Sequence, residues 1–366
     1  MISYRVSHTA QLSRYDDSSS GAAITPVKNA GIEKLSVRYG DADAIDSINC
    51  AYCWAKDVEN SVWQGVGIHF INTFRFELDQ FYSHDAYNPQ PGGGAYAIGL
   101  DWGSSEILIQ DSISVKTNKV MVARAGGAGS VVAYNYMDIG LIDYAEKWQE
   151  IGLNASHWVG PHHVLFEGNY GHNADADFTH GNATNMTYLR NWLRGVRHPF
   201  VNSWACGTSC SNSHAVDDYA QGNGPARTVG PQSYHYWYTF TGNVLGAPGL
   251  MAGWKYQCDL TNGQKCIWAP GWGESNANGT WGTDPQVASL SFPGHIIRNG
   301  NWDWLTSSQH WDNTPAIIPN SVYLSSKPAF FGSTKWPWVD PTTGSVPAEG
   351  LPAKARYDAG QPNCNC

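Results

Sequence analysis

The hydrophobic positions of this chain come in short runs, each closed by an asparagine or aspartate. The runs are YCWAKDV (52–58), FRFELDQ (74–80), EILIQDS (106–112), SVVAYNY (130–136), VLFEGNY (164–170), MTYLRNW (186–192) and YTFTGNV (238–244). The sixth position is Asp57, Asp79, Asp111, Asn135, Asn169, Asn191 or Asn243. Three residues earlier stands Trp54, Phe76, Leu108, Val132, Phe166, Tyr188 or Phe240, and GIEKLSV (31–37) looks like a weaker copy. A strand with one inward apolar residue, closed by a side chain that tolerates turns and hydrogen-bonds nearby backbone, therefore repeats along the chain. One such coil cannot bury its apolar face alone, but stacked coils make a core, with the Asn and Asp side chains laddering along the turns. The pattern predicts an all-β parallel β-helix. The competing arrangement is a sandwich or propeller whose strands happen to end in Asn.

On this reading residues 1–30 form an N-terminal segment or cap, and 31–245 are the coils. Residues 196–232 make a long excursion between two coils, of the length that usually carries function in a compact fold. Residues 246–294 are Gly/Trp-rich loops and 295–366 a Pro/Trp-rich tail packed on the same domain.

Composition agrees. Only 14% of the 366 residues are charged, while Gly numbers 39, Trp 17 and Tyr 19, which suits strands and turns rather than helices or disorder. The net charge of −9 argues against a nucleic-acid partner. No apolar run reaches the roughly 18–20 residues of a membrane span. The eight cysteines form close pairs, Cys50/Cys53, Cys206/Cys210, Cys258/Cys266 and Cys364/Cys366. Disulfides of an exported protein are the favoured reading and zinc the alternative, with Cys50/Cys53 also open to being reduced core. MISYRVSHTAQ lacks the apolar core of a signal peptide, so export implies a signal removed or replaced by Met1 and a chain that is part of a longer precursor.

The run GIEKLSV…NCAYCWAKDVEN…NKVMVARAGGAGSVVAYNYMD…PHHVLFEGNYGHNADADFTHGNA…YHYWYTFTGNVLG resembles the bacterial right-handed parallel β-helix proteins of the pectate-lyase-like superfamily. The tail, NGNWDWLTSSQHWDN…IPNSVYLSSKPAFFGSTKWPWVDP, is similar to that of secreted β-helix proteins mostly without assigned function. The resemblance covers nearly the whole chain and implies a right-handed solenoid with long loops and an irregular tail. It does not choose a reaction, because polysaccharide lyases, glycoside hydrolases, epimerases, esterases and phage tailspikes share that fold.

Candidate chemistry lies upstream of the Asn positions. GIH, VAR, ASH, FTH and SYH end in His69, Arg124, His157, His180 and His235. At the strand spacing of ~4.8 Å, Arg124, His157 and His180 stack as one column on an exposed face, which His69 and His235 extend. In HNADADFTH, strand alternation puts Asp175 and Asp177 on one side, ~6.5–7 Å apart and beside His180. That spacing suits inverting glycoside hydrolysis, one Asp as acid and the other activating water. Glu167, His162, Lys147, Trp148, Trp158, Tyr234 and His235 are candidate substrate contacts, since aromatic faces stack on sugars. No metal or cofactor is called for, although the spacing would also suit a metal, calcium being the candidate, at Asp175, Asp177 and a neighbouring His. A phosphate loop and a G-x-S-x-G esterase elbow are both missing.

These observations lead to a secreted or cell-surface carbohydrate-active protein, first a polysaccharide-cleaving hydrolase using the paired aspartates. The alternative is a lyase acting on a uronate polymer by β-elimination through Arg124, His157 and His180. The third reading is a non-catalytic glycan-binding adhesin or tailspike-like fibre. The polymer, its linkage and the oligomeric state are not encoded in any motif.

Overall fold

The computed structural model describes residues 25–40, 42–87, 89, 94–140, 152–198, 225–259, 264–275, 281–291, 295–347 and 349–361. The chain is all-β, with long parallel sheets consistent with a solenoid of stacked coils. Three parallel ladders run along it. The first contains Gly31–Arg38, Trp54–Ser61, Glu77–Asp79, Leu108–Gln110, Val131–Ala133, Leu165–Glu167, Thr187–Leu189, Thr239–Thr241 and Ile297–Asp303. The second contains Tyr82–His84, Ile113–Thr117, Tyr136–Gly140, Tyr170–Gly171, Trp192–Leu193 and Val244–Leu245. The third runs from Ile45–Ile48 through Val66–Ile71, Tyr96–Asp101, Met121–Arg124, Leu153–Trp158, Ala174–Ala176 and Ala226–Pro231 to Lys265–Trp268 and Lys255–Gln257. The stack thus continues past residue 245, with Ile297–Asp303 as a rung of both the first and second ladders.

Register explains the core. Ala55, Leu78, Ile109, Val132, Phe166, Tyr188 and Phe240 are Cα partners in succession, and all are buried. Phe166, Tyr188 and Phe240 stack face to face, centroids 4.4 and 4.7 Å apart, each such pair adding about 0.5–1.5 kcal/mol beyond burial. The expected inward residues Val132, Phe166, Tyr188 and Phe240 are in place. In the earlier coils Ala55, Leu78 and Ile109 take the register positions; Phe76 is also buried in the core, packed on Phe70, while Trp54 and Leu108 are half-buried.

The corner between the first two ladders is built from a residue with positive φ followed by a ladder side chain. Tyr134, Gly168, Arg190 and Gly242 have φ of 58°, 66°, 52° and 63°, and Asn135, Asn169, Asn191 and Asn243 follow them. Glycine is required at 168, where a Cβ would lie 2.4 Å from the Tyr134 ring. Each asparagine donates from Nδ2 to a strand carbonyl of the coil before it, as Asn191 does to Phe166 O at 2.9 Å. Its Oδ1 accepts the backbone N–H and the Nδ2 of the preceding asparagine, at 2.9 and 2.9 Å for Asn169 to Asn191. The ladder ends on Asn301, which the repeat did not include. Asp57, Asp79 and Asp111 are not members. Ser112 takes the ladder position of its coil, its Oγ accepting Phe81 N–H at 3.0 Å and donating to Gln110 O at 2.8 Å. Asp111 instead binds Arg356 of the C-terminal helix Pro352–Asp358.

The tail lies along the flank. Arg190 donates to three of its carbonyls, Pro319 at 2.7 Å, Ile318 at 3.0 Å and Val339 at 3.1 Å, and Trp338 Nε1 donates to Gly168 O at 2.7 Å. Replacing Arg190 with Met leaves those carbonyls without their charged donor and should lower stability by about 1.5–3 kcal/mol. Limited proteolysis checks this: cleavage within 313–347 should accelerate while the coils stay resistant.

Cys50 and Cys53 are joined, as are Cys258 and Cys266, with Cα atoms 6.2 and 5.5 Å apart. The reduced-core alternative for Cys50/Cys53 is thereby set aside. Cys206, Cys210, Cys364 and Cys366 lie outside the described residues, as does most of the 196–232 excursion. Among the described residues no helix is long and apolar enough to cross a membrane.

Candidate functional site

The outward face of the third ladder carries a row of charged side chains that neighbouring coils bring into contact. Asp177 is its centre. His157, from the preceding coil, donates Nδ1–H to Asp177 Oδ1 at 2.7 Å. Asn154 Nδ2 reaches Oδ2 at 2.9 Å and Lys119 Nζ lies 3.5 Å from the same oxygen. Burial would raise the Asp177 carboxyl, but Lys119, His157 and Asn154 outweigh it and hold the group well below the usual carboxylate range. An anionic Asp177 fixes the His157 tautomer with the proton on Nδ1, leaving Nε2 as the basic nitrogen.

His180 is exposed, its ring 5.1 Å from that of His157 and 5.4 Å from that of Trp158. Trp158 meets Trp102 edge to face at 4.8 Å, and Trp102 is 46% exposed. Further along, exposed Tyr234 packs on Phe178 at 6.1 Å. An aromatic edge therefore borders the His157–Asp177 dyad.

Arg124 belongs to an adjoining cluster. It is paired through both nitrogens with buried Asp101, which also contacts His69 Nε2. His69 Nδ1 faces Asp43 at 3.0 Å and Asp46 at 3.6 Å. Burial would lower the His69 pKa, but Asp101 and Asp43 raise it to about 9. The Tyr96 ring joins the two clusters, with Arg124 5.0 Å and Lys119 5.9 Å from its centre.

Several expected contacts lie elsewhere. Asp175 faces outward but does not open beside His180: it is 1% exposed, bound to Arg227, whose guanidinium lies 4.1 Å over the Trp272 ring. Burial pushes its carboxyl up to about 7 against the pull of Arg227 and the Ala176 N–H. Arg227 and, over its guanidinium, Trp272 come from later segments, which strand alternation within HNADADFTH could not reveal. Glu167 also faces outward but on the first ladder, buried under the tail, where it accepts Tyr134 OH at 2.6 Å and Val322 N–H at 3.0 Å. His162 is exposed at the corner before the first ladder, its Nδ1 2.9 Å from His163 Nδ1. Lys147 and Trp148 lie outside the described residues.

His235 is fully buried, its Nδ1 3.2 and 3.0 Å from the carbonyls of Gln232 and Ser233, so it does not extend the exposed column. Burial lowers its pKa to about 4. A folded pKa below the unfolded value of about 6.5 means that stability is full above about pH 6.5 and falls as pH drops toward 4. By about pH 5 the loss should approach 2 kcal/mol. Urea unfolding of wild type and His235→Gln at both pH values checks it, the variant showing the weaker dependence.

Calcium at Asp175 and Asp177 would compete with Arg227 and Lys119, which already face those carboxylates. The group with metal-binding geometry among the described residues is Asp43, Asp46 and His69, whose ligand atoms lie within 4.8 Å of one another. Repeat spacing signalled His157, His180 and Arg124. Lys119, Asn154, Asp101, Trp102 and Arg227 carried no signal, because each acts through a partner from a different coil. No family model, curated protein or solved structure matches the chain.

Proposed function

We propose that the chain is a right-handed parallel β-helix of the pectate-lyase-like kind, exported to an oxidising compartment, that cleaves an extended polysaccharide at His157. The observation that carries this reading is the His157 Nδ1–Asp177 Oδ1 bond beside the exposed Trp102–Trp158–His180 edge. The dyad is a base of fixed tautomer, and the aromatic edge offers faces to sugar rings. The joined cysteine pairs support export.

The chemistry that fits is β-elimination on a uronate. His157 Nε2 takes the proton α to the carboxylate, the electron pair forms the ring double bond, and the glycosidic oxygen leaves with a proton from water. Asp177 stabilises the resulting imidazolium. Lys119 and Arg124 contribute positive field, though each is paired with an aspartate.

Hydrolysis by Asp175 and Asp177 is the second reading. Their opposite shifts, Asp175 up and Asp177 down, are the pattern of an acid and a base. Against it, Asp175 is sealed beneath Arg227 and Trp272. One assay separates the two: pectins, alginates, glycosaminoglycans, xylans and β-glucans, with and without calcium, read for unsaturated sugar ends and for new reducing ends together. Elimination produces both, hydrolysis only the second. Retained glycan binding with neither product would leave a non-catalytic binder.

A further inference from the structure

The connection between the third ladder and the first carries two adjacent histidines. After Trp158 the chain passes through Gly160 and Pro161 to His162 and His163, before Leu165 enters the next strand. Both histidines are exposed. Their Nδ1 atoms lie 2.9 Å apart, and the rings are nearly perpendicular, with centroids 5.1 Å apart. The following coil fixes their backbone: His162 forms a parallel bridge with Thr184, and His163 N–H donates to Thr184 O at 3.4 Å. Strand alternation would set neighbouring side chains on opposite faces. The left-handed turn at His163, φ 53°, breaks that alternation and brings the two rings together.

Neither ring has another polar partner among the described residues. Each can therefore carry its proton on Nε2 and turn the Nδ1 lone pair toward the other. Two nitrogens that bind one ion at about 2.0–2.1 Å and at a right angle stand about 2.9 Å apart, whereas tetrahedral ligation spreads them to about 3.3 Å. The right angle belongs to tetragonal copper(II) and nickel(II), and copper(II) is the stronger binder of the two. Calcium and magnesium need oxygen ligands, and no carboxylate contacts either ring. The Asp43–Asp46–His69 group differs, since the His69 imidazole is already held between Asp43 and Asp101.

We propose that His162 and His163 form a copper(II) site, their Nδ1 atoms taking adjacent positions of a tetragonal ion whose remaining positions hold water. The inference is independent of the chemistry assigned to His157. The test is calorimetric titration of the full chain with copper(II), zinc and calcium ions, in a glycine buffer that suppresses weaker sites. The copper(II) electron paramagnetic resonance spectrum is recorded at saturation. Wild type should take up one more equivalent of copper(II) than the double variant His162→Gln, His163→Asn, and show tetragonal nitrogen ligation that the variant lacks. Zinc should bind the pair more weakly, and calcium should not bind it. Each single substitution should weaken that equivalent about tenfold or more, because it removes a second nitrogen held beside the first. Asparagine suits the left-handed backbone at 163, and His162→Gln alone carries the test if the change at 163 disturbs the corner. Equal copper(II) uptake by wild type and the double variant, unchanged affinity in the single variants, or calcium binding as tight as copper(II) would each overturn the proposal.

Discussion

The His157→Ala variant is expected to lose about 10²–10⁴-fold in kcat on whichever polymer the wild-type chain cleaves, with little change in KM. The reason is the bond at 2.7 Å between His157 Nδ1 and Asp177 Oδ1, which commits the second ring nitrogen to act as base. Asp177→Asn tests the same arrangement without removing the imidazole. An amide can accept from His157 Nδ1–H through its oxygen, but it no longer stabilises an imidazolium, and it removes the Asp177 charge that faces Lys119. A loss approaching that of His157→Ala is expected, with the pH–rate profile of the residual activity displaced. Asp175→Asn separates the two reactions. If His157 is the base, this variant loses stability through the lost Asp175–Arg227 ion pair but keeps its kcat when assayed folded. If the aspartate pair does hydrolysis, Asp175→Asn is the most damaging of the three. A His157→Ala variant with wild-type kcat would move the chemistry away from the dyad altogether.

How far the sequence could be read depended on whether an interaction was local. The corner asparagines Asn135, Asn169, Asn191 and Asn243 were legible because each follows its inward residue at a constant offset, and the strand geometry keeps that offset. Asp111 imitated the motif. The ladder position of that coil belongs to the next residue, Ser112, whose hydroxyl replaces the amide, and Asp111 is left for a partner 245 positions away, Arg356. Phe76 is buried in the core against Phe70, as expected, although Leu78 takes the register position; Trp54 and Leu108 misled because a large apolar residue one place from the inward position also packs half-buried on the outside of the coil.

At the site, upstream spacing pointed to Arg124, His157 and His180, but they do not form one column: Trp158, not His157, is in register with Arg124 and bridges to His180, and Arg124 pairs with Asp101. The structure adds what spacing does not contain. Lys119 and Asn154 come from earlier coils to fix Asp177, while Arg227 and Trp272 come from later ones to seal Asp175. Alternation put both aspartates outside the barrel, yet both are buried; Asp175 is sealed by Arg227, from a segment that the alternation within HNADADFTH does not contain.

The asparagine ladder supplies the second large effect, on stability. Asn191 sits between two rungs on either side. Its Oδ1 accepts from Asn169 N and Nδ2, and its own N and Nδ2 donate to Asn243 Oδ1 at 2.9 and 3.0 Å, with Nδ2 also serving Phe166 O. Every one of these groups is buried, so Asn191→Ala strands the Asn169 N–H and the Phe166 carbonyl where water does not reach. The expected cost is about 3–5 kcal/mol, measured as a fall in the urea midpoint at constant m. Ser112 indicates the milder replacement. Its hydroxyl accepts one backbone N–H and donates to one carbonyl in the equivalent corner, so Asn191→Ser should lose roughly half as much. Asn191→Asp keeps the acceptors but removes a donor and buries a charge. Its folded pKa would be raised, so its stability should decline as pH rises above about 4, opposite to the trend set by His235. Equal losses for the alanine and serine variants would show that side-chain volume, rather than the hydrogen-bonded ladder, holds the corner together.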